Sequence, residues 1–171
     1  MSDQLRYDSR TIWLHWATAG LIVTLWGLAQ IIDEFPSADR VWPRSLHIIL
    51  GVTLLAIYIT RAFWRLGRGR HLPPADSGVL ALAAKAAHYG LYALVAATLG
   101  LGLVLAVARG DNMLNLFHVP KLIDADKALR GMLGEWHGTA ANGILILAAL
   151  HAAAALYHHF VLKDGVLRRM L

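Results

Sequence analysis

Four long apolar stretches dominate this sequence, and they restrict its fold more than any other feature. Only 16% of the 171 residues are charged, whereas a soluble domain carries about 25%. Each stretch reaches or exceeds the ~20 residues that a helix needs to cross a bilayer. The sequence therefore predicts an all-α fold, a single-domain integral membrane four-helix bundle over residues 1–171, with helices at about 11–32, 45–64, 79–107 and 136–162.

Few charged residues fall inside these stretches. Arg61 and Lys85 lie near predicted helix ends, where long side chains are expected to reach the polar interface. The connection at about 108–134 is long, and its leucines at 129 and 133 favour a short amphipathic helix over 126–133, lying on the bundle.

The basic residues predict how the bundle is oriented. Four spans place both termini on one side of the membrane, and ten of the sixteen Lys and Arg residues fall on that side. The positive-inside rule therefore predicts that both termini are cytoplasmic. The net charge of +5 then reflects topology and contact with membrane lipid, and no soluble basic face is available for a nucleic acid.

Two histidines in the fourth stretch predict a pair of stacked haem sites. Fourteen residues separate His137 from His151, which is about 21 Å along a helix and about 40° short of four turns. Both imidazoles therefore leave from nearly one face, one near each surface of a ~30 Å hydrocarbon core. Since cysteine is absent, iron–sulfur clusters and covalently attached haem are excluded, which leaves histidine-bound cofactors or flavin as electron carriers.

Three other histidines lie at depths where they are candidates for the opposing ligands. Depth pairs His47 with His137 near the periplasmic surface and His15 with His151 near the cytoplasmic surface, with His88 a third candidate for the inner layer. Two axial histidines leave an iron no open position, which suits electron transfer. A hydrogen-bonded core histidine is the alternative for each one alone, but four at two matched depths favour ligands of two irons.

The segments around these histidines resemble the bacterial cytochrome b561 family. The resemblance covers essentially the whole chain, and the C-terminal motif is typical of its superoxide oxidase branch. The matching segments are Trp13-Leu14-His15-Trp16, Ser45-Leu46-His47, Trp136-His137, and the run from His151 through His158-His159-Phe160 and Lys163-Asp164 to Leu167-Arg168-Arg169-Met170.

The resemblance implies a cytochrome of the bacterial inner membrane with two haem b groups. Such a protein oxidises periplasmic superoxide to oxygen and passes the electron to ubiquinone. The resemblance also implies the axial pairs reached above from depth. It places His88 near the inner haem or the quinone, without a bond to iron.

This function makes basic residues of the outer surface candidates for steering superoxide, which is an anion. Arg44, Lys121 and Arg130 are expected on that surface. An ordinary solvated charge is the alternative for each of them.

At the cytoplasmic end, one histidine and one tryptophan are candidates for the quinone. His158 lies seven residues after His151 and about 20° off its face, so its imidazole is expected to bond a quinone carbonyl and deliver protons. Trp16, beside His15, is expected either to stack on quinone or haem, or to anchor the chain at the interface.

Two other functions fit part of the pattern. A cytochrome b subunit that relays electrons between a partner dehydrogenase or hydrogenase and the quinone pool would keep the haem ligands and need a docking partner. A structural or transport bundle without haem would make the histidines coincidental. The sequence leaves a homo-oligomer open.

Overall fold

The computed structural model describes residues 6–37 and 39–171 and contains four long helices in that part of the chain. Residues 1–5 of the predicted domain, and Ala38, lie outside the described residues. All four helices are long and apolar enough to cross a membrane, which confirms the predicted all-α membrane bundle. The helices are α1 (Ser9–Ile32), α2 (Val41–Gly67), α3 (Gly78–Arg109) and α4 (Lys127–Tyr157).

Short elements complete the described chain. Between α3 and α4, β1 (Asn112–Met113) and β2 (Phe117–His118) pair antiparallel as a small hairpin. After α4 the chain makes a π-helical turn over His158–Leu162 and a 3₁₀ turn over Leu167–Met170.

The fourth helix begins nine residues before its predicted start at 136. The amphipathic helix predicted within 126–133 is present and lies on the bundle, but it forms the first turns of α4 after the Asp126 cap and is not a helix of the connection. The Asp126 side chain caps α4 by accepting a hydrogen bond of 2.8 Å from the Leu129 backbone N–H. Leu129 and Leu133 pack into a cluster with Leu105 and Ala108 of α3, and this contact holds the first turns against the bundle.

The two chain termini meet at one end of the bundle, here called the terminal end. The Tyr7 N–H donates to the Arg169 carbonyl at 3.0 Å, and the Trp16 indole N–H donates to the Met170 carbonyl at 2.8 Å. The opposite end, here called the hairpin end, carries residues 112–118.

The hairpin is attached to the start of α2 by a fully buried serine. The Ser45 hydroxyl donates to the Asn112 carbonyl at 3.1 Å and accepts from the Leu114 N–H at 2.9 Å. This attachment holds the hairpin, which follows the end of α3, against the start of α2.

The helices pack chiefly in two pairs, α1 with α2 and α3 with α4. Their outward faces expose large apolar side chains such as Phe63, Leu82 and Ile146, which suits contact with lipid acyl chains. The space between these two helix pairs contains the predicted haem ligands His15, His47, His137 and His151.

Candidate functional site

The histidine pair at the hairpin end joins α2 to α4. The ring centres of His47 and His137 are 6.1 Å apart, with an interplanar angle of 70°. Both residues line a cavity of about 450 Å³ that reaches all four helices. The predicted pairing by depth thus corresponds to two rings facing one another across an internal space.

Local structure fixes the orientation of the His137 ring. Its Nδ1–H donates to the Thr98 carbonyl at 2.9 Å, which leaves Nε2 free as a ligand atom. A Cβ on Gly102 would lie only 3.0 Å from Cε1 of His137, so a larger residue at 102 would push this ring from its position by a few tenths of an ångström.

The opposing ring of His47 is held less tightly. Its Nδ1 is buried and has no partner of ordinary hydrogen-bond geometry among the described residues, although the Leu25 carbonyl interacts weakly with the ring.

The second pair lies toward the terminal end. The ring centres of His15, on α1, and His151, on α4, are 6.4 Å apart with an interplanar angle of 67°. His88, on α3, approaches the same His151 ring, with its centre at 5.1 Å. Three histidines therefore meet at this level of the bundle.

The ring separations fit an iron held between His47 and His137 and another between His15 and His151. Two rings that bind a metal ion from opposite sides, each through one nitrogen at about 2.0 Å, would have their centres about 6.3 Å apart. The observed 6.1 Å and 6.4 Å match this value, whereas 5.1 Å between His88 and His151 is too short. These distances support both axial pairs and support a role for His88 other than iron ligand.

Arg61 was expected to reach the interface, and the structure shows that this prediction is wrong. Its side chain turns inward from α2, so that Nη2 lies 3.1 Å from Nδ1 of His15. The guanidinium carbon also lies 5.2 Å from the ring centre of Tyr92 on α3. Arg61 is thus a charged residue at the His15–His151 pair that the apolar pattern alone did not reveal.

A basic cavity of about 510 Å³ opens at the hairpin end. Its lining contains two of the predicted steering residues, Arg44 and Arg130, together with Arg109 and Lys127. Arg44, Arg109 and Asp111 also line the cavity of His47 and His137, so the basic cavity and the histidine cavity adjoin. The third predicted steering residue, Lys121, forms an ion pair of 3.1 Å with Asp124 beside this cavity.

A single buried carboxylate accompanies these basic groups in the lining. Asp111 is 8% exposed, and its Oδ1 lies 3.8 Å from Nη1 of Arg44. Burial raises the pKa of the Asp111 carboxyl, and the neighbouring Arg109 and Arg44 only partly oppose this effect. Basic groups outnumber the carboxylate, so the cavity attracts anions.

His158, the predicted quinone residue, lies between two carboxylates at the terminal end. Its Nδ1 donates to Asp164 at 2.5 Å, and its Nε2 lies 3.5 Å from Asp76. The hydrogen bond from His158 holds the pKa of the exposed Asp164 carboxyl below its usual value. The π-helical turn after Tyr157 and the left-handed backbone of Lys163, at φ 52°, return the chain so that Asp164 reaches the imidazole.

Trp16 lies at the edge of the His15–His151 pair. Its ring contacts His15 edge to face, with centres 5.2 Å apart, while its indole N–H bonds to Met170 and half of its surface is exposed. The contact with His15 and the exposure at the terminal end are compatible with both roles expected for Trp16.

Apolar membrane helices that present opposed histidines are the arrangement of b-type membrane cytochromes. The family model for prokaryotic cytochrome b561 matches residues 6–171, and the chain belongs to this family. It is therefore a bacterial multi-pass membrane protein of electron transfer, and its family implies binding of haem b.

Curated relatives match over nearly the full chain. A protein of Yersinia pestis named probable superoxide oxidase CybB is 27% identical over 168 residues, covering 97% of this chain and 96% of the relative. Cytochrome b561 homolog 2 of Escherichia coli strain K12 is 29% identical over 171 residues, covering 97% and 91%. Cytochrome b562 of Cereibacter sphaeroides is 28% identical over 180 residues, covering 100% and 98%.

Proposed function

We propose that this protein oxidises superoxide at the hairpin end and passes the electrons through two haem b groups to ubiquinone at the terminal end. The observation that carries this proposal is the junction of the basic cavity with the cavity of His47 and His137. The name of the Yersinia pestis relative supports the same activity.

The two histidine pairs are the proposed haem ligands. His47 with His137 would hold one group and His15 with His151 the other. Haem held by these histidine pairs would supply reversible one-electron transfer. The hydrogen bond from His137 to Thr98 fixes the tautomer that presents Nε2 to the metal.

The basic cavity is the proposed entry for superoxide. Four basic groups and one carboxylate line it, so an anion is concentrated there before it loses its electron. Arg44 and Arg109 line both cavities, whereas Arg130 and Lys127 line only the basic cavity, so we expect Arg44 and Arg109 to contact the anion nearest the His47–His137 pair. Lys121 is a weaker contributor, because Asp124 neutralises it.

The terminal end is the proposed quinone site. Two superoxide anions yield two molecules of oxygen and two electrons, and these electrons with two protons reduce one quinone to the quinol. We expect His158 to donate one hydrogen bond to a quinone carbonyl through Nε2, since its contact with Asp76 there is long at 3.5 Å. Asp164 holds the other ring nitrogen and keeps the imidazole oriented.

The orientation in the membrane completes the proposal. Ten of the sixteen basic residues lie near the chain termini, in the connection between α2 and α3, or in the parts of α2 and α3 that adjoin this connection, which favours a cytoplasmic location for the terminal end. The hairpin end then faces the periplasm, where superoxide arrives, and protons for the quinol come from the cytoplasm.

Separate half-reactions of the purified protein test this function. When the purified protein in quinone-free detergent is mixed rapidly with superoxide, the haem absorption should show reduction. Ubiquinone added afterwards should reoxidise the haem. No protein partner should be required for either step. If superoxide left the haem oxidised while a membrane dehydrogenase or hydrogenase reduced it, the protein would instead be a partner-fed cytochrome b subunit.

A further inference from the structure

Arg61 carries a charge inside the helix bundle for which the described residues provide no counter-charge. It lies six residues before the end of α2, and its Nε is buried without a hydrogen-bond partner. Among residues 6–37 and 39–171, no carboxylate forms an ion pair with it. By contrast, Arg40 and Arg44 at the hairpin end face Asp33 and Asp111.

The groups around Arg61 do not compensate its charge. The guanidinium stays protonated at all physiological pH values, so it cannot escape the cost of burial by losing a proton. Its two described contacts, the His15 imidazole and the Tyr92 ring, are both uncharged acceptors. A buried charge without a partner is costly, and ionisable groups inside membrane bundles are normally paired, so we expect Arg61 to have an anionic partner.

Metal binding by His15 would also remove the present contact. A guanidinium only donates hydrogen bonds, so the His15 Nδ1 accepts and the ring proton lies on Nε2. A histidine that ligates a metal through Nε2 carries its proton on Nδ1. Nδ1–H and the guanidinium are then both donors, and Arg61 needs a different acceptor.

We propose that Arg61 binds a carboxylate of the haem held by His15 and His151. This inference rests on the proposed function, which assigns those histidines as ligands. Haem b is a dicarboxylate, and the Nε and Nη2 edge of the guanidinium offers the two parallel donors that a carboxylate accepts best. The positive charge also favours the reduced iron at this site, and it therefore raises the midpoint potential of that haem.

The first test compares variants of the full-length protein purified with its haem. Arg61→Gln should lower the haem content at the His15–His151 site and move its midpoint potential to more negative values. Arg61→Lys should have a midpoint potential close to that of the wild type but a lower haem occupancy, because lysine keeps the positive charge and lacks the two parallel donors of the guanidinium. Arg65→Gln is the matched control one turn further along α2, where the guanidinium donates to the Arg70 carbonyl, and it should retain both haems.

The second test blocks the carboxylates on the haem itself. Haem-depleted full-length protein is loaded with haem b or with its dimethyl ester, and occupancy is read from the absorption spectrum. In the wild type, the ester should bind the His15–His151 site several-fold more weakly than haem b does. Arg61→Gln should remove this difference. Equal binding of both by the wild type would overturn the proposal, and so would a variant that changed only the apparent KM for quinone.

These results are distinguishable from failure of the proposed function. Loss of half of the haem on His151→Ala upholds the histidine pair, whatever Arg61→Gln does. Retention of all haem in His151→Ala would reject that pair, and the inference about Arg61 with it.

Discussion

Gly102→Ala should displace the His137 ring and weaken haem binding at the hairpin end. The added Cβ would lie 3.0 Å from Cε1 and 3.3 Å from Nδ1 of His137, below ordinary contact distances. The ring cannot easily yield, because its Nδ1–H is fixed on the Thr98 carbonyl at 2.9 Å and Nε2 is the proposed ligand. Overpacking of this kind costs about 1–3 kcal/mol, or about 5- to 150-fold in the affinity of one site.

Gly100→Ala is the matched control for this substitution. It lies two residues earlier on α3, and a Cβ there would meet nothing within 4 Å. Both variants add the same methyl group and the same helix propensity, so any difference between them arises at His137.

Haem titration followed by absorption, with a pyridine haemochrome count per chain, measures the effect. We expect Gly102→Ala to lose haem selectively from the hairpin-end site, and Gly100→Ala to match the wild type. Equal haem affinity in the two variants would show that the His137 ring is free to move, and the proposed ligand geometry at this site would be refuted.

Four further outcomes are expected. His47→Ala should empty the hairpin-end haem site and His15→Ala the other, as read from the loss of one spectral component in each variant. Arg130→Gln should slow haem reduction by superoxide and flatten its dependence on salt, because screening weakens steering between exposed charges. Burial raises the pKa of Asp111, so this carboxyl is protonated at a higher pH than a free aspartate and the cavity then becomes more positive; the superoxide rate should rise as pH falls through that transition, and Asp111→Asn should lose this part of the pH dependence. His158→Ala should slow reoxidation by quinone in stopped-flow traces, while superoxide still reduces the haem.

For Arg130→Gln and His158→Ala, one outcome each would contradict the proposed pathway. A salt-dependent superoxide rate that is unchanged in Arg130→Gln would move the entry site away from the basic cavity. If His158→Ala slowed reduction by superoxide as much as reoxidation by quinone, the separation of the two half-reactions between the two ends would be incorrect.

The fold was predictable because membrane helices are specified by long apolar runs. Three predicted helices agree with the structure within four residues at each end, since charges and prolines interrupt hydrophobicity there. The start of α4 was missed because residues 127–135 are polar enough to resemble a loop. Only the cap by Asp126 and packing of Leu129 and Leu133 on α3 show that they continue the helix.

The histidine pairs were predictable from depth, because α-helical rise converts residue number into height in the bundle. Arg44 and Arg130 were predicted among the charged groups near these pairs, but the inward turn of Arg61 and the position of Arg109 were not. Arg61 reads as an interfacial residue in the sequence, and its inward turn depends on the packing of α1 and α3 against α2. Arg109 and Lys127 are distant in sequence and meet Arg44 only because the hairpin brings the ends of α3 and α4 over α2.

The contacts of His158 illustrate the same limit. Asp164 is six residues away on a turn whose shape depends on a π-helical segment and a left-handed Lys163. Asp76 comes from the connection before α3. Neither carboxylate carries a sequence signal of its own beyond its place near the terminal end.

The ratio of haem b to protein chain in the purified full-length protein tests most directly whether the bundle holds two bis-histidine haems. Haem extracted with acid acetone is counted against protein determined by amino-acid analysis, and the oxidised spectrum reports the spin state. We expect two extractable, low-spin haems per chain, one for the 6.1 Å pair and one for the 6.4 Å pair. A ratio near one, or haem that resists extraction, would contradict the two paired sites.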